Sequence, residues 1–150
     1  MLSYALNYAA GELDPAGYHL VNVLLHAANA ALVFLIIEEL FANRMFAVWS
    51  GLLFALHPIR TEAVAYVVGR AETLAALFFL AAWWCYLRGR PAAGAAAFLA
   101  AALCKESAFT FLAVLPLSDY IARRNWDRRT FARYAPFAAA AAVALGLRYI

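Results

Sequence analysis

Lysine is all but missing from this chain: Lys105 is the only one, although the formal net charge is +3. The positive balance therefore comes from arginine, and the arginines stand at the ends of apolar runs rather than along one face. That placement excludes reading the basic balance as a nucleic-acid patch. Charge of either sign is scarce, at 14% of residues, where a soluble domain carries about a quarter. With 67% of the 150 residues hydrophobic and a mean hydropathy of +0.74, a water-soluble fold is excluded as well. Cysteine is limited to Cys85 and Cys104, both inside apolar runs, so buried thiols are expected rather than a disulfide. The three histidines never form His-x-x-x-His or His-Glu-x-x-His, and neither a metal nor another cofactor is expected. Met1 to Ala10 lacks the basic start and apolar core of a signal peptide. The last apolar run begins near Ala135 and reaches Ile150 before it could finish a crossing. Both ends read as the ends of a fragment.

What remains is an all-α, polytopic membrane bundle of about six segments, drawn by its breakers. Glu12 and Asp14 lie in a loop that turns at Asp14-Pro15. Helices are expected over about Gly17 to Phe41, from after Arg44 to His57, over Ala71 to Leu87, Ala92 to Cys104 and Ser107 to Ile121, and onward from Ala135. Pro58 and the run Arg88-Gly89-Arg90-Pro91 supply stops. Thr61 is a candidate N-cap for a short surface helix to Val68. Alternate loops carry Arg44, then Arg88 and Arg90, then Arg123, Arg124, Arg128, Arg129 and Arg133, whereas the opposite loops carry Arg60, Arg70 and Lys105. Arginine bias places the first set in the cytoplasm, with the stretch Arg123 to Arg133 against anionic lipids. Pro91 to Ala122 allows a hairpin of two helices, each reaching only about 22 Å of a core about 30 Å thick. The turn at Lys105-Glu106-Ser107 is thus expected below the far membrane surface, where its charges need each other, a cavity or a ligand. Alanine-rich stretches, including Ala138 to Ala142, suggest close helix packing.

Chemistry concentrates on that far side. His57 to Glu72 gathers His57, Arg60, Glu62, Arg70 and Glu72 between two apolar segments. Arg60, Arg70 and Lys105 suit a phosphate or pyrophosphate; pairing with Glu62, Glu72 and Glu106 is the plainer account, and the two are compatible. His19, Asn22, His26 and Asn29 make one polar stripe within about 80° of helix, as interhelical hydrogen bonding would use. His19 lies at the far-side mouth.

The segments Asp14-Pro15-Ala16-Gly17-Tyr18-His19-Leu20-Val21-Asn22, Ala55-Leu56-His57-Pro58-Ile59-Arg60-Thr61-Glu62-Ala63-Val64, Gly69-Arg70-Ala71-Glu72 and Lys105-Glu106-Ser107-Ala108 occur in that order. In this the chain resembles the membrane portion of the transmembrane and tetratricopeptide-repeat O-mannosyltransferases and their bacterial relatives, which are GT-C glycosyltransferases. The resemblance implies part of a GT-C fold, with tetratricopeptide repeats downstream. It implies transfer of a sugar from a polyprenyl- or dolichyl-phosphate donor to a hydroxyl of a protein or glycan acceptor, on the lumenal or periplasmic face. The catalytic acidic residue would lie upstream of Met1, so the fragment alone would be inactive. His57, Arg60, Arg70 and Lys105 would contact the donor phosphate, with Glu62, Glu72, Glu106 and His19 positioning them. High alanine and arginine usage suggests a bacterial inner membrane rather than the endoplasmic reticulum. The rival readings are a non-catalytic membrane anchor and a transporter of a lipid-linked anion.

Overall fold

A computed structural model describes residues 5, 8, 15–58, 69–122 and 127–149. The loop with Glu12 and Asp14, the segment Thr61 to Val68 with Arg60 before it, and Arg123 to Trp126 lie outside the described residues. Among those described, every regular element is helical: α1 (Pro15–Phe41), α2 (Arg44–Leu56), α3 (Arg70–Leu87), α4 (Pro91–Cys104), a 3-10 turn (Glu106–Thr110), α5 (Phe111–Ile121), α6 (Arg128–Ala132) and α7 (Ala135–Tyr149).

Local chemistry sets these boundaries. Asn43 begins α2 by accepting the Phe46 amide on its Oδ1 at 3.0 Å, satisfying one of the donors a helix start leaves open. His57 ends α2 with ψ 123°, the extended state forced on a residue before proline. Gly89, at φ +71°, closes α3. Its amide bonds the Tyr86 carbonyl at 3.1 Å while that of Arg90 bonds Cys85 at 2.9 Å, the paired geometry of a Schellman cap. Two features depart from the expected pattern. The fifth helix opens as a 3-10 turn, and the basic stretch holds the short helix α6.

Helix α1 packs on α2 and α3, α3 on α4, and α4 on α7. Phe98, Phe111 and Phe137 are fully buried where α3, α4, α5 and α7 meet; Phe98 stacks on Phe111 at 5.5 Å and Phe79 meets Phe111 edge-on at 5.0 Å. Around these rings α4 and α7 offer small residues, with Ala101, Ala102 and Ala144 sharing one cluster. Outside, Leu20, Leu24, Met45, Trp49, Leu53 and Leu56 are exposed. Such an apolar exterior suits a membrane protein, and lipid gives helices little reason to associate except close packing and polar ties. Among the described residues two helical stretches, Ala16–Phe41 and Thr130–Arg148, are long and apolar enough to cross a membrane. The 14 residues of α4 rise only about 21 Å.

Gly94 shows how tight the packing is: a Cβ there would lie 2.9 Å from the Phe137 ring and 3.0 Å from the Ala82 carbonyl oxygen. Gly94→Ala should therefore destabilise the bundle by about 1–3 kcal/mol. Gly146→Ala, facing open space, should leave thermal unfolding in detergent unchanged or slightly raised. Ala42 holds a left-handed φ of 49° in the two-residue connection from α1 to α2. Ala42→Gly should raise the same midpoint, relieving about 1 kcal/mol of backbone strain.

Candidate functional site

At the end of the bundle where α1 and α3 begin, Arg70 is fully buried. Its Nε donates to Asn22 Oδ1 at 3.1 Å and one terminal nitrogen to the Tyr18 carbonyl at 3.0 Å. Its guanidinium carbon also lies 5.3 Å from the centre of the Tyr18 ring. Further in, Asn29 Nδ2 donates to the Thr73 carbonyl at 3.1 Å. Half-buried His26 completes the stripe, with Nε2 3.1 Å from the Ala55 carbonyl and the ring stacked on Phe54. Asn22, His26 and Asn29 are thus interhelical ties, whereas His19 is exposed.

Lys105, in the link between α4 and the 3-10 turn, pairs with Glu72 in the first turn of α3. Their side chains are 44% and 58% exposed, and a pair so accessible adds about 1 kcal/mol or less. The pair stands over a hollow of about 350 Å³ walled by Phe54, Ala75, Phe79 and Leu80, with Ser107 and Thr110 adding hydroxyls. One ion pair and a mostly apolar lining thus share this hollow. Neither Arg70 nor His57 lines this hollow; His57 is exposed at the end of α2. Arg60 and Glu62 lie outside the described residues.

Glu106 turns to a partner that loop counting overlooked. Its Oε1 lies 3.2 Å from Arg148 in the last turn of α7, where a cation also favours the helix C-terminus. Within the expected set Lys105 pairs with Glu72, while Glu106 pairs with Arg148 from outside it. Arg148 lies 13 residues beyond Ala135, far enough along a helix to reach the opposite end of the bundle, and that spacing was the available signal.

The other end holds a second cluster that no motif announced. Asp119 is fully buried. Its Oδ2 accepts the Tyr86 and Tyr134 hydroxyls at 2.5 and 2.6 Å. Arg133 donates to the Tyr86 carbonyl at 2.9 Å and lies over the Tyr86 ring at 4.8 Å. Trp83 Nε1 donates to Ser118 Oγ at 2.7 Å beside it. A carboxylate held by two phenols can tie α3, α5 and the start of α7 together. Among the described residues no group of three or more metal-ligating side chains is assembled.

Comparison with known proteins gives this arrangement a context. Over 138 residues the chain is 43% identical to protein O-mannosyl-transferase Tmtc1 of Drosophila melanogaster, taking in 85% of this chain and 16% of the relative. It is 44% identical over 130 residues to protein O-mannosyl-transferase TMTC2 of Homo sapiens, covering 79% of this chain and 16% of that protein. It is 42% identical over 124 residues to human TMTC3, covering 76% and 13%. No protein-family profile and no solved structure matches the chain. It spans about a sixth of the length of the first two of these relatives, and over that span the chain belongs to the family of the TMTC protein O-mannosyl-transferases.

Proposed function

We propose that this chain forms part of an integral-membrane glycosyltransferase and holds the phosphate end of a lipid-linked sugar donor at the Lys105–Glu72 hollow. The observation that carries the reading is an ion pair of little structural worth standing over an apolar floor. An incoming phosphate can take Glu72's place on Lys105, and the isoprenoid chain of a polyprenyl or dolichyl phosphate can follow Phe79 and Leu80. The family resemblance also assigns His57 and Arg60 to the donor phosphate, although His57 does not line this hollow. Arg70 serves the site from behind, by fixing the start of α3. In the reaction the bond between the sugar's anomeric carbon and the phosphate oxygen breaks, and a bond to the acceptor hydroxyl oxygen forms. The hydroxyl proton passes to a carboxylate, and the electron pair leaves with the phosphate. Lys105 stabilises the charge that grows there. The acceptor is a protein, after the relatives' names, and the site faces away from the cytoplasm, as arginine counting indicates. The rival anchor reading draws support from the tyrosine-bound Asp119, which serves assembly alone.

Lys105 and Arg70 should separate cleanly in the full-length protein. Lys105→Ala is expected to lower mannosyl transfer from a polyprenyl-phosphate donor by about 100-fold while moving the unfolding midpoint little. Arg70→Ala is expected to destabilise by about 3 kcal/mol, because it empties a buried, hydrogen-bonded charge site. Normal turnover in Lys105→Ala defeats the phosphate assignment.

A further inference from the structure

Ser107 lines the hollow that holds Lys105 and Glu72, and its hydroxyl is set apart from the others described. Ser50 donates to the Phe46 carbonyl, Thr73 to Arg70, Ser118 to Val114 and Thr110 to Ser107. Thr130 donates to Asp127 Oδ1. Ser107 Oγ makes no hydrogen bond among the described residues.

The backbone accounts for the exception. A helical serine can turn its hydroxyl back to the carbonyl three or four residues earlier. For Ser107 those carbonyls belong to Cys104 and Leu103, inside α4. The chain is extended between them and Ser107, with Lys105 at φ −154° and ψ 140°. Thr110 Oγ1 in turn donates to the Ser107 carbonyl at 2.7 Å. The turn is thus held by a neighbour while the Ser107 hydroxyl stays available.

Resting on the donor reading above, we propose that Ser107 is a second contact to the lipid-linked phosphate. Its Oγ–H donates to one free oxygen while Lys105 takes another. Two residues of chain span at most about 7 Å, so both donors reach one phosphate. A phosphate ester of this kind presents at least two free oxygens and accepts from both at once. The two donors contribute different things. An ammonium is a point charge on a flexible stem and fixes little direction. A hydroxyl on a held turn supplies direction, and a hydrogen bond to an ionised oxygen is about twice as strong as a neutral one. Ser107 therefore sets where the phosphate sits against Lys105.

The test is binding of farnesyl phosphate, and of farnesol as its uncharged counterpart, to the full-length protein in detergent, read by isothermal titration calorimetry. Ser107→Ala should weaken farnesyl phosphate binding about tenfold, the loss of roughly one hydrogen bond to a charged group, and leave farnesol unchanged. Ser107→Thr keeps the hydroxyl and should stay within about threefold of wild type. The position is exposed, so the unfolding midpoint should not move in either variant. Wild-type affinity for farnesyl phosphate in Ser107→Ala, with affinity lost in Lys105→Ala, overturns this proposal and leaves the donor reading standing. Full affinity in both variants removes both. Equal losses of farnesyl phosphate and farnesol in Ser107→Ala also overturn the proposal, since they report a reshaped turn rather than a lost donor. Inorganic phosphate held through Ser107 as tightly as the lipid ester assigns the contact to a free anion and removes the lipid donor.

Discussion

A guanidinium sealed inside a membrane bundle dictates where its neighbours stand. Arg70 ties α3 to α1 through Asn22 and Tyr18, and Thr73 adds a second tie through Asn29. Asn22 and Asn29 are seven residues apart and share a face of α1; Arg70 and Thr73 are three apart and share a face of α3. The two contacts therefore set the rotation as well as the height of α3. With Arg70 turned toward α1, Glu72 points about 200° away around the helix. That is the side from which the end of α4 arrives, and Lys105 finds it there. The exposed pair at the candidate site follows from the buried contact behind it. Lipid makes this dependence stronger than water would, because apolar surface gives little rotational preference between helices bathed in hydrocarbon.

Much of the fold was legible because breakers and caps act locally. Pro58, Pro91 and Gly89 each impose a backbone state on one or two residues, and the helix ends follow them. The polar stripe of α1 was legible for a similar reason, since a period of 3.6 residues alone puts Asn22, His26 and Asn29 on one face. The family resemblance rested on short motifs, and the relatives at 42–44% identity bear it out. Partner choice was the part that local pattern could not carry. Arg70 meets a residue 48 positions away, and Asp119 meets Tyr86 33 positions away. Nothing periodic links such positions. Arg148 escaped because counting arginines in loops passes over one placed inside an apolar run. The 3-10 opening at Glu106 escaped because its turn is tightened by tertiary contacts around Ala108, which packs against Ala102 and Ala144.

The two ends of the bundle spend their charges differently, and the difference separates architecture from chemistry. At one end Asp119 is buried and held by two short, charge-assisted hydrogen bonds. Displacing it would leave a desolvated carboxylate, so a ligand has nothing to gain there. At the other end the Lys105–Glu72 and Arg148–Glu106 pairs keep one third or more of each side chain in contact with solvent. Pairs of that exposure hold the helices weakly. The same weakness means that either cation can give up its carboxylate for another acceptor at little loss. Buried Arg70 and Asn22 already supply the rigidity that such exchange requires. Under the proposed transferase function the site needs both properties together, since its charges must be free to change partners while the helices that carry them stay fixed. Here they fall to residues two positions apart on α3, Arg70 facing inward and Glu72 facing the hollow.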